Sequence, residues 1–243
     1  MRALRLYPQG LVLEEVARPE PGPGEVLVRV HAAAITRDEL TWPVDRLPAI
    51  PSYELAGVVE ASGEGVMALT PFDRDGVAAD YAVVPETLLA PRPAGLSDEQ
   101  AAALPMPALS AWQGLVVHGG LEAGERVLVT GARGGVGHVA VQLVRALGGA
   151  LVGEGEACDL LFDTAGGDAL ARSADQAGRV VTIAAEAPGA EYFVVEPSGA
   201  QLVSLPELRP EVDSVFPLED FRAAFERCAA RGKQGKVVLR VAA

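Results

Sequence analysis

Residues 126–149 read RVLVTGARGGVGHVAVQLVRALGG. The run from Val127 to Val129 is short, apolar and bounded by charge and glycine, as a strand buried in a parallel sheet reads. Gly131-Ala132-Arg133-Gly134-Gly135-Val136-Gly137 follows it. Beyond that turn, apolar side chains fall at Val136, Val139, Ala140, Leu143, Val144 and Leu147. Those spacings of three and four mark one helix face packed on a sheet. Gly148-Gly149 stop the helix. A glycine turn between such a strand and such a helix lets backbone N–H groups approach a pyrophosphate, and the helix N-terminus adds partial positive charge. The spacing is G-x-x-G-G-x-G rather than G-x-G-x-x-G, and a βα turn with no ligand is the alternative reading.

The whole chain has 243 residues, room for one large or two small domains. Its 49% hydrophobic content fills a sizeable core, and 22% charged residues argue against disorder. A net charge of -13 repels phosphate backbones and anionic bilayers, so neither nucleic acid nor a membrane surface is expected as a partner. No apolar run reaches membrane-span length. The opening MRALRLYPQG has no apolar signal-peptide core, so a cytoplasmic location is expected. Cys158 and Cys228 share no metal spacing and read as buried free thiols.

Residues 1–92 have the texture of a small β-barrel. Val26, Val28 and Val30 alternate with Leu27, Arg29 and His31 after the turn Pro21-Gly22-Pro23-Gly24. Leu55 to Glu60 and Tyr81 to Val84 are further short strands. Ser97-Asp98-Glu99-Gln100 reads as a capping box opening an alanine-rich helix that Pro105 and Pro107 interrupt. A second helical piece runs through Ala111, Trp112, Leu115 and Val116. After the organising strand come apolar runs at Leu160 to Phe162, Val180 to Ile183 and Tyr192 to Val195, with a short helix around Asp168 to Gln176. Strand and helix alternate, which predicts a parallel α/β domain. Leu218, Phe221, Phe225 and Cys228 form a helical stripe, and Val237 to Val241 is a last strand returning to the first unit.

The stretches PGPGEVLVRVHAAAIT (21–36), ELAGVVEASGEGV (54–66), residues 79–115, residues 126–148, LLFDTAGGDAL (160–170) and residues 221–241 together resemble the zinc-independent medium-chain dehydrogenase/reductases, in the quinone oxidoreductase and enoyl reductase branch. The resemblance implies an α/β fold. A GroES-like barrel is built from residues 1–96 and 216–243, a Rossmann-type doubly wound domain spans 97–215, and a cleft lies between them. It also implies NADPH-dependent hydride transfer to a quinone or an activated C=C bond, with NADH as the alternative donor, and a homodimer formed by pairing of sheet edges.

The zinc branch of that superfamily uses a Cys and a His–Glu pair as metal ligands. The corresponding positions here read Ile35-Thr36-Arg37-Asp38 and Ser52-Tyr53-Glu54. Zinc favours sulfur and nitrogen ligands, so no zinc is expected. The growing oxyanion then needs another donor. Tyr53 is one candidate, and a Tyr packed in the barrel is the alternative. Thr36 stands where many relatives carry Asn. Arg37 stands where some enoyl reductases carry a Tyr proton donor, which leaves the proton source open, with solvent as one choice. By resemblance Thr164, Ala165 and Gly166 end a strand beside the nicotinamide ribose. Phe193, Val194 and Val195 offer backbone groups to the carboxamide, or simply pack as an apolar strand. The cofactor set is thus Gly131, Arg133, Gly134, Gly135, Val136 and Gly137 together with those six residues. His31, His118 and His138 form no cluster and read as structural or solvated. The acidic residues read as solvated faces.

One stretch is too short. Strand two can only be Ala150 to Val152, and Gly153 to Cys158 leave no room for a helical crossover. Either the α/β domain is truly shortened, or the sequence as given omits segments that the protein carries, and the missing crossover favours the second. The place that selects the dinucleotide in the family shows Glu154, whose carboxylate suits a free ribose 2′-OH and repels a 2′-phosphate. Three functions remain open: a reductase of quinones or enones, a non-redox relative with lyase or cyclase chemistry, and a dinucleotide-binding protein without catalysis.

Overall fold

The computed structural model describes residues 1–43 and 47–242, which divide into two units. The first comprises Met1–Pro105, Pro197–Val203 and Pro210–Ala243; the second comprises Met106–Glu196 and Ser204–Arg209.

The first unit opens on an antiparallel hairpin of β1 (Arg2–Tyr7) and β2 (Gly10–Glu15). β3 (Glu25–Ile35) is the spine of the main sheet. Its two faces separate as the alternation predicts, with Val28 and Val30 fully buried and Arg29 exposed. β4 (Glu54–Val59) and β5 (Gly65–Leu69) follow as antiparallel neighbours. β6 (Tyr81–Pro85) pairs with the first half of β3, and β7 (Ala90–Pro91) closes on β5. A register shift between Val30 and Ala32 bends β3 midway. Ser97 caps α1 (Asp98–Ala102) through a reciprocal box with Gln100, as expected. That helix packs on β3 and β4, and its Asp98 reaches His31 Nδ1 at 2.8 Å.

The alanine-rich helix α1 ends at Ala102, just before Pro105, as expected, and a new helix, α2 (Pro105–Trp112), begins on the prolines themselves. Both lie in its first turn, where the missing N–H has no helical partner to lose. The helix then widens into a π-helical turn over Gln113–His118. β8 (Arg126–Thr130), α3 (Gly137–Ala146), β9 (Ala150–Leu151), β10 (Cys158–Asp163), α4 (Gly167–Ser173), β11 (Ala177–Thr182) and β12 (Glu191–Tyr192) complete the second unit. Its five strands are all parallel, in the order β12-β11-β10-β8-β9. This is the doubly wound arrangement, with β8 where the winding reverses.

The short crossover has a simple geometry. β9 has two residues, paired with Arg126 and Val127 at the start of β8. The chain therefore never climbs to the C-terminal end of the sheet. It turns through residues 153–157 beneath β8 and enters β10, where Asp159 accepts the Arg126 N–H at 2.7 Å. A parallel neighbour needs a long return only when its strand runs the full height of the sheet.

The chain then returns to the first unit with α5 (Gly199–Ser204), β13 (Val212–Pro217), α6 (Phe221–Ala229) and β14 (Lys236–Arg240). β14 lies between β13 and β3, antiparallel to β3, so the chain's two ends share one sheet as expected. Phe221, Ala224 and Cys228 are the buried stripe of α6. Leu4, Val28, Val30, Ile35, Leu55, Leu218 and Leu239 lie in that unit's core. Both cysteines are buried and free. Among the described residues, no helix is long and apolar enough to cross a membrane.

Candidate functional site

The glycine turn sits at the C-terminal end of β8. Gly131 has φ +67°, a region costly for other residues, and a Cβ there would lie 2.6 Å from Thr164 Oγ1. Gly137 starts α3 so close to the turn that a Cβ would meet the Gly131 carbonyl oxygen at 2.1 Å. The turn is tightened by Gly134 N–H donating to Gly131 O at 2.8 Å. His138, read as structural, closes it from the helix side: its Nδ1 donates to Gly134 O at 2.9 Å. Gly131 and Arg133 are exposed, and Gly134, Gly135 and Val136 are half-buried.

Beside this turn lies a network that the sequence reading missed. The fully buried Asp163, at the end of β10, accepts from Thr130 Oγ1 at 2.5 Å and from Thr182 Oγ1 at 2.7 Å. It also accepts the N–H groups of Ala165 at 3.3 Å and Gly166 at 3.0 Å. One carboxylate thus ties together the ends of three adjacent strands, β8, β10 and β11. Thr164 follows the strand end and donates its hydroxyl to Thr130 O at 2.7 Å. The residues 164–166 form a turn after β10, held against the glycine turn. A visible signal was present: two of the apolar runs end on a polar residue, Thr130 and Asp163, and the third carries Thr182 within it.

Phe193, Val194 and Val195 do not extend β12 as expected, because β11 ends at Thr182 and offers no further ladder. Phe193 N–H makes a last bond to Thr182 O at 3.3 Å. The segment continues extended, with Phe193 and Val195 buried and Val194 60% exposed. The Gln113 side chain holds its far end, accepting from Glu196 N at 2.9 Å and donating to Glu196 O at 2.8 Å. His118 stacks on Phe193 with ring centroids 4.3 Å apart and meets Glu191 at 2.6 Å. Both supports come from the π-helical turn, which no periodicity in the sequence announces.

In the first unit, Thr36 directly follows β3 and is half-buried, whereas Arg37 is exposed. Thr36 lies in a buried charged cluster. Glu39, Glu54 and Lys236 are 5%, 0% and 5% exposed, so the reading of the acidic residues as solvated faces is corrected for Glu39 and Glu54, and likewise for Asp163. Lys236 is ion-paired with Glu54 and donates to Thr36 Oγ1 at 2.8 Å. Thr36 N–H donates to Glu39 at 2.8 Å. Burial pushes the Glu39 carboxyl up to about 7, helped by the nearby Glu54 and opposed by the Thr36 N–H, Lys236 and Ser52. Tyr53 is 6% exposed, its ring 6.0 Å from Trp42 and 5.1 Å from Phe72. The structure therefore brings Thr36 and a charged pair together and leaves Tyr53 among aromatic rings. Among the described residues, no three His, Cys, Asp or Glu side chains are grouped to hold a metal ion.

Glu154 lies in the turn below β8, 3.9 Å from Arg172 at the end of α4. That is the opposite end of the sheet from Gly131, so it does not occupy the place that selects a dinucleotide. At Gly131 and Gly137 a Cβ would run into Thr164 or the turn's own backbone, so glycine at these two places is what lets α3 start this close to the end of β8. β9 ends at Leu151, beside Val127, and so does not reach the end of the sheet that carries Gly131.

Two family models match the chain: alcohol dehydrogenase GroES-like domain over residues 22–74, and zinc-binding dehydrogenase over residues 141–239. A probable mitochondrial zinc-binding oxidoreductase of Arthroderma benhamiae is 30% identical over an alignment of 303 residues that covers 92% of each chain. That alignment is longer than the present chain, so the relative carries segments absent here. The acryloyl-coenzyme A reductase of Sulfurisphaera tokodaii is 32% identical over 183 residues, which is 60% of this chain and 55% of that protein. Among solved structures, the quinone oxidoreductase of Thermus thermophilus, described with its NADPH complex, superposes with a TM-score of 0.84 at 32% identity, covering 99% of this chain and 100% of that one.

Proposed function

The chain belongs to the medium-chain dehydrogenase/reductase superfamily, in its quinone oxidoreductase-like branch, and from that premise we propose that it transfers hydride from a nicotinamide dinucleotide to a quinone or an activated C=C bond. The observation that carries this reading is how closely Gly137, the first residue of α3, approaches the turn: a Cβ there would lie 2.1 Å from the Gly131 carbonyl oxygen. That close approach leaves a backbone cradle at a helix N-terminus, where a pyrophosphate is held by N–H donors and the helix dipole. The bound dinucleotide would supply the hydride. The chain's own residues would do the rest. Gly131, Gly134, Gly135, Val136 and Gly137 cradle the pyrophosphate, with Arg133 beside them. Thr164, Ala165 and Gly166, fixed by Asp163, line the ribose, and the backbone at 193–195, fixed by Gln113, meets the carboxamide. Thr36 is the polar group for the substrate oxygen. Trp42, Tyr53 and Phe72 offer aromatic faces on which a planar quinone or enone stacks. Arg37, exposed next to Thr36, attracts anionic substrates. The reaction proceeds without zinc, in keeping with the absence of Cys and His at the positions the zinc branch uses.

Fluorescence titration with NADPH and with NADH, followed by a small quinone and a small enone, tests the reading. Binding followed by oxidation of the dinucleotide, unaffected by a chelator, is the expected result. Binding without turnover would support a non-catalytic dinucleotide-binding protein, and no binding would leave lyase or cyclase chemistry to be sought. Sedimentation will test the expected homodimer.

A further inference from the structure

All the residues concerned lie in the second unit. Its strands run parallel in the order β12-β11-β10-β8-β9, so the glycine turn, residues 164–166 and residues 193–196 leave the sheet at the same end. β12 stands three steps from β8, or about 14 Å.

Residues 193–196 have no sheet to hold them. β11 ends at Thr182, and Phe193 N–H makes the last bond across to it at 3.3 Å. Alternate residues of a strand turn their backbone groups to the same edge, so the Val195 N–H and C=O face the side where β11 has stopped. Val195 is 9% exposed, yet among the described residues neither group has a hydrogen-bond partner. Backbone groups so enclosed are costly until something pairs them. A primary carboxamide, with N–H donors beside an acceptor oxygen, is a partner of the right kind.

The π-helical turn holds the segment in place of a ladder. Gln113 is buried and commits both ends of its amide to one residue, accepting from Glu196 N at 2.9 Å and donating to Glu196 O at 2.8 Å. His118 lays its ring on Phe193, planes 22° apart, and its Nδ1 meets Glu191 at 2.6 Å. One grip therefore lies on each side of Val194 and Val195. An α-helix puts residues five apart on different faces, whereas i→i+5 bonding, seen here from Gly119 N to Gly114 O, brings Gln113 and His118 onto one.

We propose that Gln113 and His118 are positioning residues for the nicotinamide end of the dinucleotide. They keep 193–196 in line beyond β12, so that the Val195 backbone stays open to the carboxamide, and they do nothing for the pyrophosphate at the glycine turn. This deepens the dinucleotide reading above and rests on it.

Calorimetric titration with NADPH and with 2′-phospho-ADP-ribose, which differ by the nicotinamide alone, tests this. The wild-type protein is expected to bind NADPH more tightly. Gln113→Leu keeps the bulk of the side chain and removes both bonds to Glu196. It should weaken NADPH at least about tenfold and leave 2′-phospho-ADP-ribose within about twofold, since sites more than about 10 Å apart act independently. His118→Ala should show the same split. Circular dichroism checks the fold, and should Gln113→Leu not fold, His118→Ala decides alone. A folded variant that leaves NADPH affinity unchanged, or that weakens both ligands alike, overturns the proposal, as does a wild type that binds the two equally. Wild-type protein that binds neither ligand would instead remove the dinucleotide reading itself, and the proposal with it.

Discussion

The backbone N–H and the hydroxyl of Ser52 both donate to one oxygen of Glu39, each at 3.2 Å. The other carboxylate oxygen takes the Thr36 N–H. To build this arrangement, Ser52 and Asp38, which directly precedes Glu39, adopt left-handed backbone conformations with φ 63° and 62°. For residues with a Cβ that costs about 1 kcal/mol or more each. Strain of this kind persists only where surrounding contacts hold it. Here it seats an acid in a closed space facing Lys236, Glu54 and the Cys228 thiol.

Glu39 makes stability fall as pH rises. Its folded carboxyl titrates near 7 rather than 4.5, so the native state holds a proton that the unfolded chain has already released between those values. Stability from this group is fully present below pH 4.5 and is lost as pH rises through about 7, by roughly 3 kcal/mol at most. Urea unfolding at pH 5 and pH 8 should show the loss in the wild type, and Glu39→Gln should remove most of the difference. An identical pH dependence in the two proteins would place the titrating group elsewhere.

Gly137→Ala tests the cradle. The added methyl meets a carbonyl oxygen at 2.1 Å, and backbone cannot yield as a flexible side chain can. The start of α3 must move away from Gly131, opening the turn. A loss of about 1–3 kcal/mol of stability is expected from the overpacking, together with at least tenfold weaker dinucleotide binding in the fluorescence titration. Unchanged affinity would remove the turn from the site.

Asp163→Ala tests the clamp across the strand ends. The substitution leaves the buried hydroxyls of Thr130 and Thr182 and the Gly166 N–H without their shared acceptor. Unmet buried groups cost about 1–3 kcal/mol each, so thermal unfolding should shift markedly downwards. Restoring the apolar balance with Thr130→Val and Thr182→Val in the same chain should recover part of the stability but not dinucleotide affinity, since the 164–166 turn stays unpinned.

What could be read in the sequence was what repeats along it. The β8–α3 unit, the alternation in β3 and the stripe of α6 are set by local periodicity, and the capping box at Ser97 by four consecutive residues. What could not be read depends on register between distant strands. Nothing near Lys236 announces that β14 will lay it against Thr36 and Glu54, and an isolated Glu in sequence looks the same buried or solvated. Gln113 escaped notice, and His118 was read only as structural or solvated, because a π-helical turn, one residue wider than its neighbours, re-aims side chains that a regular helix would have pointed elsewhere. The unit of the site is thus a set of pairings, whereas the unit of the fold is a segment.

The shortened β9 bears on cofactor choice. In a doubly wound domain the residues just past strand two meet the adenosine ribose and separate NADH from NADPH by a carboxylate or a cation at the 2′ position. Here β9 stops beside Val127, and Glu154 faces Arg172 at the far end of the sheet. The groups left for binding, at the glycine turn, at 164–166 and at 193–195, meet parts that the two dinucleotides share. NADPH, the nucleotide of the Thermus thermophilus complex, is the first to test, and NADH is expected to bind almost as well. Glu154→Ala should leave the ratio of the two dissociation constants unchanged, because its carboxylate lies where no 2′-phosphate reaches. A strong preference that Glu154→Ala reverses would mean that residues 152–157 fold up towards the ribose when the dinucleotide binds, and that the short crossover is rebuilt by its ligand.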